Sequence, residues 1–351
     1  MNLRHHTIRY VIATLLAIFL LTMYGYFPTR EFHPAYRAMV EASATMHRAI
    51  QVIREERTLQ DIPILSGLDP ARTGFIGTEF TPITTTLGNL AAKQTSAQPD
   101  FAALLVRWLY ELPLQPGDEV GIQCSGSFPA LNIAAIVACE TLGLQPVISA
   151  SVGASSYGAN LPGFTYPDME QILFRRGIIH HRSELVTPGG NQDNGSSFYH
   201  TGMELVRQAV QRNGYPLTVP KDLTEAIQRK IALFTRQHRI RCFINIGGNQ
   251  TALGEGTAAA LLPGGVVRRH ASSLQPNSGL IFYFLRRGIP VIHLLDIRGL
   301  ASRYGLPIAP GRFIPPGLHL PYFRTRATRP LAIFSLMLLV LMMFFLKKTP
   351  S

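Results

Sequence analysis

Two long runs along this chain carry no charge: residues 10–27, YVIATLLAIFLLTMYGYF, and residues 331–346, LAIFSLMLLVLMMFFL. Eighteen helical residues reach about 27 Å, close to the thickness of a bilayer's hydrocarbon. Each run therefore predicts a membrane-spanning helix. Between them the pattern shortens. Residues 35–60 place Met39, Ala42, Met46, Ile50 and Ile53 three and four apart, opposite Arg48, Arg54, Glu55 and Arg57, which predicts an amphipathic helix. A loop rich in Thr, Gly and Pro follows over 73–88, then a second helix over 101–111.

The clearest stretch is 118–150. Asp118-Glu-Val-Gly-Ile-Gln-Cys124 reads as a short strand, broken by Ser125-Gly-Ser-Phe-Pro129. Residues 130–142 follow as a helix with Leu131, Ala134, Ala135, Ala138 and Leu142 on one side, Pro129 in its first turn and Gly143 as its stop. Residues 144–150 are a second apolar strand, so the whole is a parallel crossover unit. Helices over 199–212, 222–238 and 277–287 alternate with strands over 240–246 and 289–295. This alternation predicts an α/β fold: a mainly parallel sheet with helices on both faces, in Rossmann-like layers, flanked by one transmembrane helix at each end. Ligands in such sheets sit at the carboxyl ends of the strands, where the strand order reverses.

Composition sharpens the membrane reading. Only 15% of the 351 residues are charged, well below the usual quarter. The net charge of +12 is concentrated at the ends: residues 1–30 hold three basic groups and 324–351 hold five, with no acid in either. Basic residues flanking apolar runs set topology. No small-x-small site follows residue 27 promptly, so an uncleaved anchor is expected rather than a signal peptide. The chain then divides into a cytoplasmic tail (1–9), a transmembrane helix (10–27), an extracytoplasmic domain with a helical, loop-rich part (28–115) and an α/β part (116–323), a second transmembrane helix (331–346) and a cytoplasmic tail (347–351). The expected location is the cell (inner) membrane. Inside the domain, residues 171–323 hold 18 basic and seven acidic groups. Arg268, Arg269, Arg286 and Arg287 are thus candidates for a polyanion face, against the alternatives of a solvated surface or contact with anionic lipid. No nucleic-acid binding module occurs.

The candidate chemistry lies in loops that follow apolar strands. Ser125, Gly126, Ser127 and Asn132 open a helix, where backbone N–H groups can cradle an anion or the hydroxyls can simply cap the helix. Ser125 is also a candidate nucleophile, although its surroundings lack the G-x-S-x-G spacing. His200, His293, Asp193 and Asp296 would complete a triad only through tertiary contacts. Further polar loops bring Ser155, Ser156 and Asn160; Gly189, Gly190 and Asp193; and Asn245, Gly247, Gly248 and Asn249. Gathered at one sheet edge, these would suit a carboxylate or amide ligand. Gly254-x-Gly256-x-x-Ala259 starts too far beyond its strand for a dinucleotide site. No spacing resembles a metal site and no cofactor is expected. Cys124, Cys139 and Cys242 read as small buried hydrophobes, with a Cys124–Cys242 pairing left open.

Thr81-Pro-Ile-Thr-Thr-Thr-Leu-Gly-Asn-Leu90, Ala92-Lys93, Ser125-Gly-Ser-Phe-Pro-Ala-Leu-Asn132, Ser151-Val-Gly-Ala-Ser-Ser-Tyr-Gly-Ala-Asn160 and Asn245-Ile-Gly-Gly-Asn249 resemble the poly-gamma-glutamate system protein family over nearly the whole chain. The resemblance implies an accessory membrane protein of bacterial poly-gamma-glutamate synthesis or export. Its implied partners are the ligase-type and small membrane subunits of the synthase, the polymer and the bilayer. It implies no catalytic residues. The chain lacks a G-x-x-x-x-G-K-[ST] loop, so the ATP-dependent ligase itself is not expected. Two functions follow as expectations: binding the polymer or organising the synthase, or hydrolysing or transferring the polymer with Ser125 or Ser127 in a chemical role.

Overall fold

The apolar segments read as strands lie side by side in the structure, a computed structural model that describes residues 11–20, 29–268, 279–326, 333 and 335–341. The chain forms two units, Met1–His33 with Phe323–Ser351, and Pro34–Tyr322. In the first, β1 (Thr29–Phe32) pairs antiparallel with a closing strand, Phe323–Arg326, and residues 11–20 are helical. Phe32 stacks on Phe323 at 5.3 Å and Arg324 reaches Glu31 at 3.3 Å.

The second unit starts with α1 (Tyr36–Leu59), whose stripe of Met39, Ala42, Met46, Ala49, Ile50 and Ile53 is buried. A short helix, α2 (Leu90–Ser96), and α3 (Asp100–Tyr110) follow, and α1 packs on α3. Next come β2 (Glu119–Ser125), α4 (Pro129–Thr141) and β3 (Gln145–Ser151), the expected crossover, with Pro129 at the helix start and Gly143 at φ +68° after its end. A small hairpin, β4 (Asn160–Leu161) with β5 (Phe164–Thr165), leads into α5 (Tyr166–Arg175) and β6 (Leu185–Thr187). The remainder is α6 (Gly202–Arg212), α7 (Leu223–Arg236), β7 (Ile240–Ile246), α8 (Gln250–Leu253), β8 (Gly265–Val267), α9 (Gly279–Arg286), β9 (Val291–Leu294) and α10 (Ile297–Arg303).

Six strands form one sheet in the order β6-β3-β2-β7-β9-β8, parallel except for β8. The chain moves outward from β2 through β3 to β6, then returns to place β7 on the other side of β2. The order therefore reverses between β2 and β7. Helices cover both faces, which is why β2, β3 and β7 are buried almost throughout. On one face Gly121 leaves room for Phe234 of α7, where a Cβ would stand 3.2 Å from the ring. Phe234, Phe243 and Phe284 continue that core, the last two stacked at 4.4 Å. On the other face the Tyr166 hydroxyl meets Cys124 Sγ at 3.7 Å. The three thiols are free and buried, and the register sets Cys242 opposite Val120, not Cys124.

The expected flanking helices are only partly within the described residues. Of the first apolar run, Tyr10 and residues 21–27 lie outside them, and of the second, residues 331, 332, 334 and 342–346. Among the described residues, no helix is long and apolar enough to cross a membrane. Residues 34–115 and 116–322 lie in the same unit, where α1 and α3 both pack on α4.

Candidate functional site

A cleft of about 490 Å³ opens at the carboxyl ends of β2, β3, β7 and β9, over the point where the strand order reverses. Its floor is made by Ser125, Ser151, Gly248 and Leu295, the residues that end or follow those strands. One wall is residues 85–89 with α2, and the other is Gly190, Asn191 and Ser197. Close backbone approaches build it. A Cβ on Gly126 would lie 2.4 Å from the Val152 carbonyl oxygen, and one on Gly88 would lie 2.2 Å from that of Ser156. Only glycine lets these loops meet.

Three serines are linked across the β2 and β3 loops. The Ser127 N–H donates to Ser125 Oγ at 3.2 Å, and the Ser155 N–H donates to Ser127 Oγ at 3.0 Å. Lys93 completes the series. Its Nζ donates to Ser155 Oγ at 2.7 Å and to the Ser127 carbonyl, and stands 3.9 Å from the centre of the Phe128 ring. Asn89 caps α2 by accepting the Ala92 N–H at 2.9 Å, which fixes the turn that aims Lys93 inward. Lys93 is 2% exposed. Among the described residues no carboxylate lines the cleft and none pairs with this lysine. Burial pulls its ammonium down to about 7.

The opposite side is tied by its own hydrogen bonds and an ion pair. Asn249 Nδ2 donates to Ser151 Oγ at 3.4 Å and to Asp193 Oδ1 at 3.3 Å, and Asn249 Oδ1 accepts the Thr251 N–H at 2.9 Å. Asp193 forms a buried ion pair with Lys230 at 2.6 Å, and Lys230 also donates to Thr251 Oγ1 at 3.0 Å. Within residues 189–193 of the loop carrying Asp193, four stand at positive φ, two of them not glycine: Gly189, Gly190, Gln192 and Asp193. Two residues below the cleft floor, Ser149, Gln123, Asn245 and His293 stand in one row across four strands, all fully buried. Asn245 Nδ2 donates to His293 Nδ1 at 3.1 Å. Ser149 Oγ, Gln123 Oε1, Asn245 Oδ1 and His293 Nε2 have no hydrogen-bond partner among the described residues. Burial holds His293 neutral, down to about 4.

Of the residues singled out from the sequence, Ser125, Ser127, Ser155, Gly190, Gly248 and Asn249 line this one cleft. Gly126, Gly189 and Gly247 shape its backbone: at Gly189 and Gly247 a Cβ would come within 3.1 Å of Ser151 and Phe128. Others are spent inside the fold. Asn132 donates to the Ser125 carbonyl at 2.8 Å and accepts its N–H at 3.3 Å. Asn160 donates to the Thr78 carbonyl and to Thr84 Oγ1, and Ser156 donates to the Thr86 carbonyl. Asp193 and Asn245 serve the ion pair and the buried row. Among the described residues no histidine meets Ser125: His293 faces Asn245, and His200 lies against Tyr199. Asp296 caps α10 through the Gly299 N–H.

The arginines stand apart from the cleft. Arg268 donates to the Glu111 carbonyl at the end of α3, Arg287 lies 3.6 Å over the Tyr283 ring, and Arg286 is exposed at the end of α9; Arg269 lies outside the described residues. Sequence reasoning missed Lys93 and the wall over 85–89 as site residues, though both fall in segments that carry the family resemblance. Lys93 is one charge in the seven residues of α2, with no periodic neighbour to mark it. Comparison of the chain with models of known protein families, with curated proteins and with solved structures finds no match.

Proposed function

We propose that this chain is an accessory membrane protein of bacterial poly-gamma-glutamate synthesis or export, whose cleft takes up the polymer's carboxylates and amide links. The observation that carries the reading is the cleft's lining: hydroxyls, backbone groups and amides around a single cation, Lys93, with no acid among the described lining residues. Such a set hydrogen-bonds amides and attracts one carboxylate at a time. A strongly clamped phosphate would call for several convergent cations. The volume is in the range of pockets that hold a small molecule or a short stretch of a chain. The two uncharged runs would anchor the protein in the cell membrane, with the basic ends inside and the α/β domain outside. Exposed Arg268, Arg286 and Arg287 would add a salt-sensitive attraction for a polyanion without belonging to the cleft.

The test is made on the full-length chain in its own membranes. It is expected to co-purify with the ligase-type and small subunits of the synthase, and a reporter fused at about residue 200 should be active only outside the cytoplasm. Absence of the synthase subunits together with an intracellular reporter would sink the reading.

A further inference from the structure

The cleft holds a hydroxyl and an amine in a relation that binding alone does not require. We infer that Ser155 and Lys93 are a nucleophile and its general base, and that the cleft cleaves or transfers an amide-linked chain bearing carboxylates. The choice of substrate rests on the function proposed above; the assignment of the two residues does not.

Three observations meet at this pair. The Ser155 Oγ lies 2.7 Å from Lys93 Nζ, within reach for a direct proton transfer, and Ser155 lines the cleft. Lys93 is buried with no carboxylate beside it among the described residues, so its neutral form, which alone can act as a base, is accessible near neutral pH. The backbone around Ser155 is locked: its N–H donates to Ser127 Oγ, and the neighbouring Ser156 N–H donates to the Thr86 carbonyl at 2.9 Å. The Ser127 carbonyl accepts a second hydrogen from Lys93 and so fixes the amine's orientation, leaving its lone pair for the Ser155 hydroxyl. Among the described residues, Ser125 and Ser127 have no such relation to a base. Their hydroxyls accept backbone N–H groups instead.

The chemistry balances without another cofactor. Neutral Lys93 takes the Ser155 proton as Oγ bonds to the amide carbon. The carbon–nitrogen bond then breaks, and the ammonium of Lys93 gives its proton to the departing amine. The acyl chain is left as an ester on Ser155. Water, or the amine of another chain, attacks that ester while Lys93 accepts the incoming proton, and the proton returns to Ser155 Oγ as the ester bond breaks. Water gives hydrolysis; an amine gives transfer. The plain alternative is that Lys93 only ties the β2 and β3 loops together.

The experiment uses full-length protein in detergent, a fluorophosphonate probe and a gamma-linked glutamyl oligomer of defined length. The probe should attach to the peptide containing Ser155, and the oligomer should be shortened or exchanged. Ser155→Ala should lose both, with turnover down on the order of 10²–10⁴-fold. Lys93→Arg separates base from tie. Arginine can hold both loops but cannot become neutral, so labelling and turnover should collapse while the melting temperature stays close to wild type. The rate of labelling should also rise with pH through an inflection near 7, absent in Lys93→Arg. Labelling at Ser125 or Ser127, or full labelling of Lys93→Arg, would overturn the assignment. Labelling of Ser155 without any effect on the oligomer would keep the pair and reject the polymer as substrate. Tight oligomer binding with no labelling would reject the pair and leave the binding function standing.

Discussion

Removing one partner of the Asp193–Lys230 pair leaves an uncompensated charge in the buried interior. Both side chains are essentially unexposed, and burial lowers the lysine's affinity for its proton against the pull of Asp193. Lys230→Met should therefore destabilise the protein by about 3–5 kcal/mol, and Asp193→Asn added to it should restore most of the loss. Denaturant midpoints of the two variants would check this. Equal stability of Lys230→Met and wild type would mean that the pair is solvated. Asp193 also shows where reading residues from sequence stops. It stands in a Gly- and Asn-rich loop that reads as a ligand contact, yet its partner is 37 positions on, in a helix where one lysine among polar neighbours looks like surface. Asn132 and Asn160 are the same kind of case. Their polar side chains close the backbone turns that shape the cleft, a task that composition cannot tell apart from ligand binding.

At the scale of elements, strands and helices long enough to complete their period were legible. The helix over 35–60 is α1, Tyr36–Leu59, and the crossover over 118–150 is β2, α4 and β3. Three-residue strands were not legible: β6 and β8 are too short to show alternation and gain their backbone partners from β3 and β9. The loops' common edge was inferred from the sheet's topology, but which wall faces it was not, because residues 81–90 reach the cleft through Gly88 rather than through any pattern. Gly126 tests that construction. Gly126→Ala would push a methyl against the Val152 and Gly153 carbonyls, 2.4 and 2.8 Å away, and part the β2 and β3 loops. We expect about 1–3 kcal/mol of lost stability and weakened fluorophosphonate labelling of Ser155, whereas Gly163→Ala, in open space, should change neither. Unaltered labelling in Gly126→Ala would show that the two loops do not need this contact.

The buried row under the cleft acts on the whole molecule through pH. His293 takes a proton at about 4 when folded, against about 6.5 when unfolded. Its folded value is depressed, so the stability it contributes is complete above pH 6.5 and is lost as pH falls from 6.5 toward 4. Over that window wild type should lose on the order of 3 kcal/mol more than His293→Gln. Denaturant unfolding at a series of pH values measures the difference, and parallel curves would show that the imidazole is not kept neutral. Such a row invites the reading of a catalytic histidine from sequence, where His293 stood among the candidates. The fold instead places it below the floor.

The strand pair that joins the two ends of the chain has a mechanical consequence. Thr29 is paired with Arg326, and Phe32 with Phe323, so the two strands leave the pair from the same end. Tension that draws the two apolar runs apart would load the backbone hydrogen bonds one after another, as a zipper, rather than all together in shear. The Arg324–Glu31 contact would part before the stacked rings of Phe32 and Phe323, which are the last to separate. Until they do, a pull applied at both ends is carried by this short ladder, and the sheet with its cleft is spared the load.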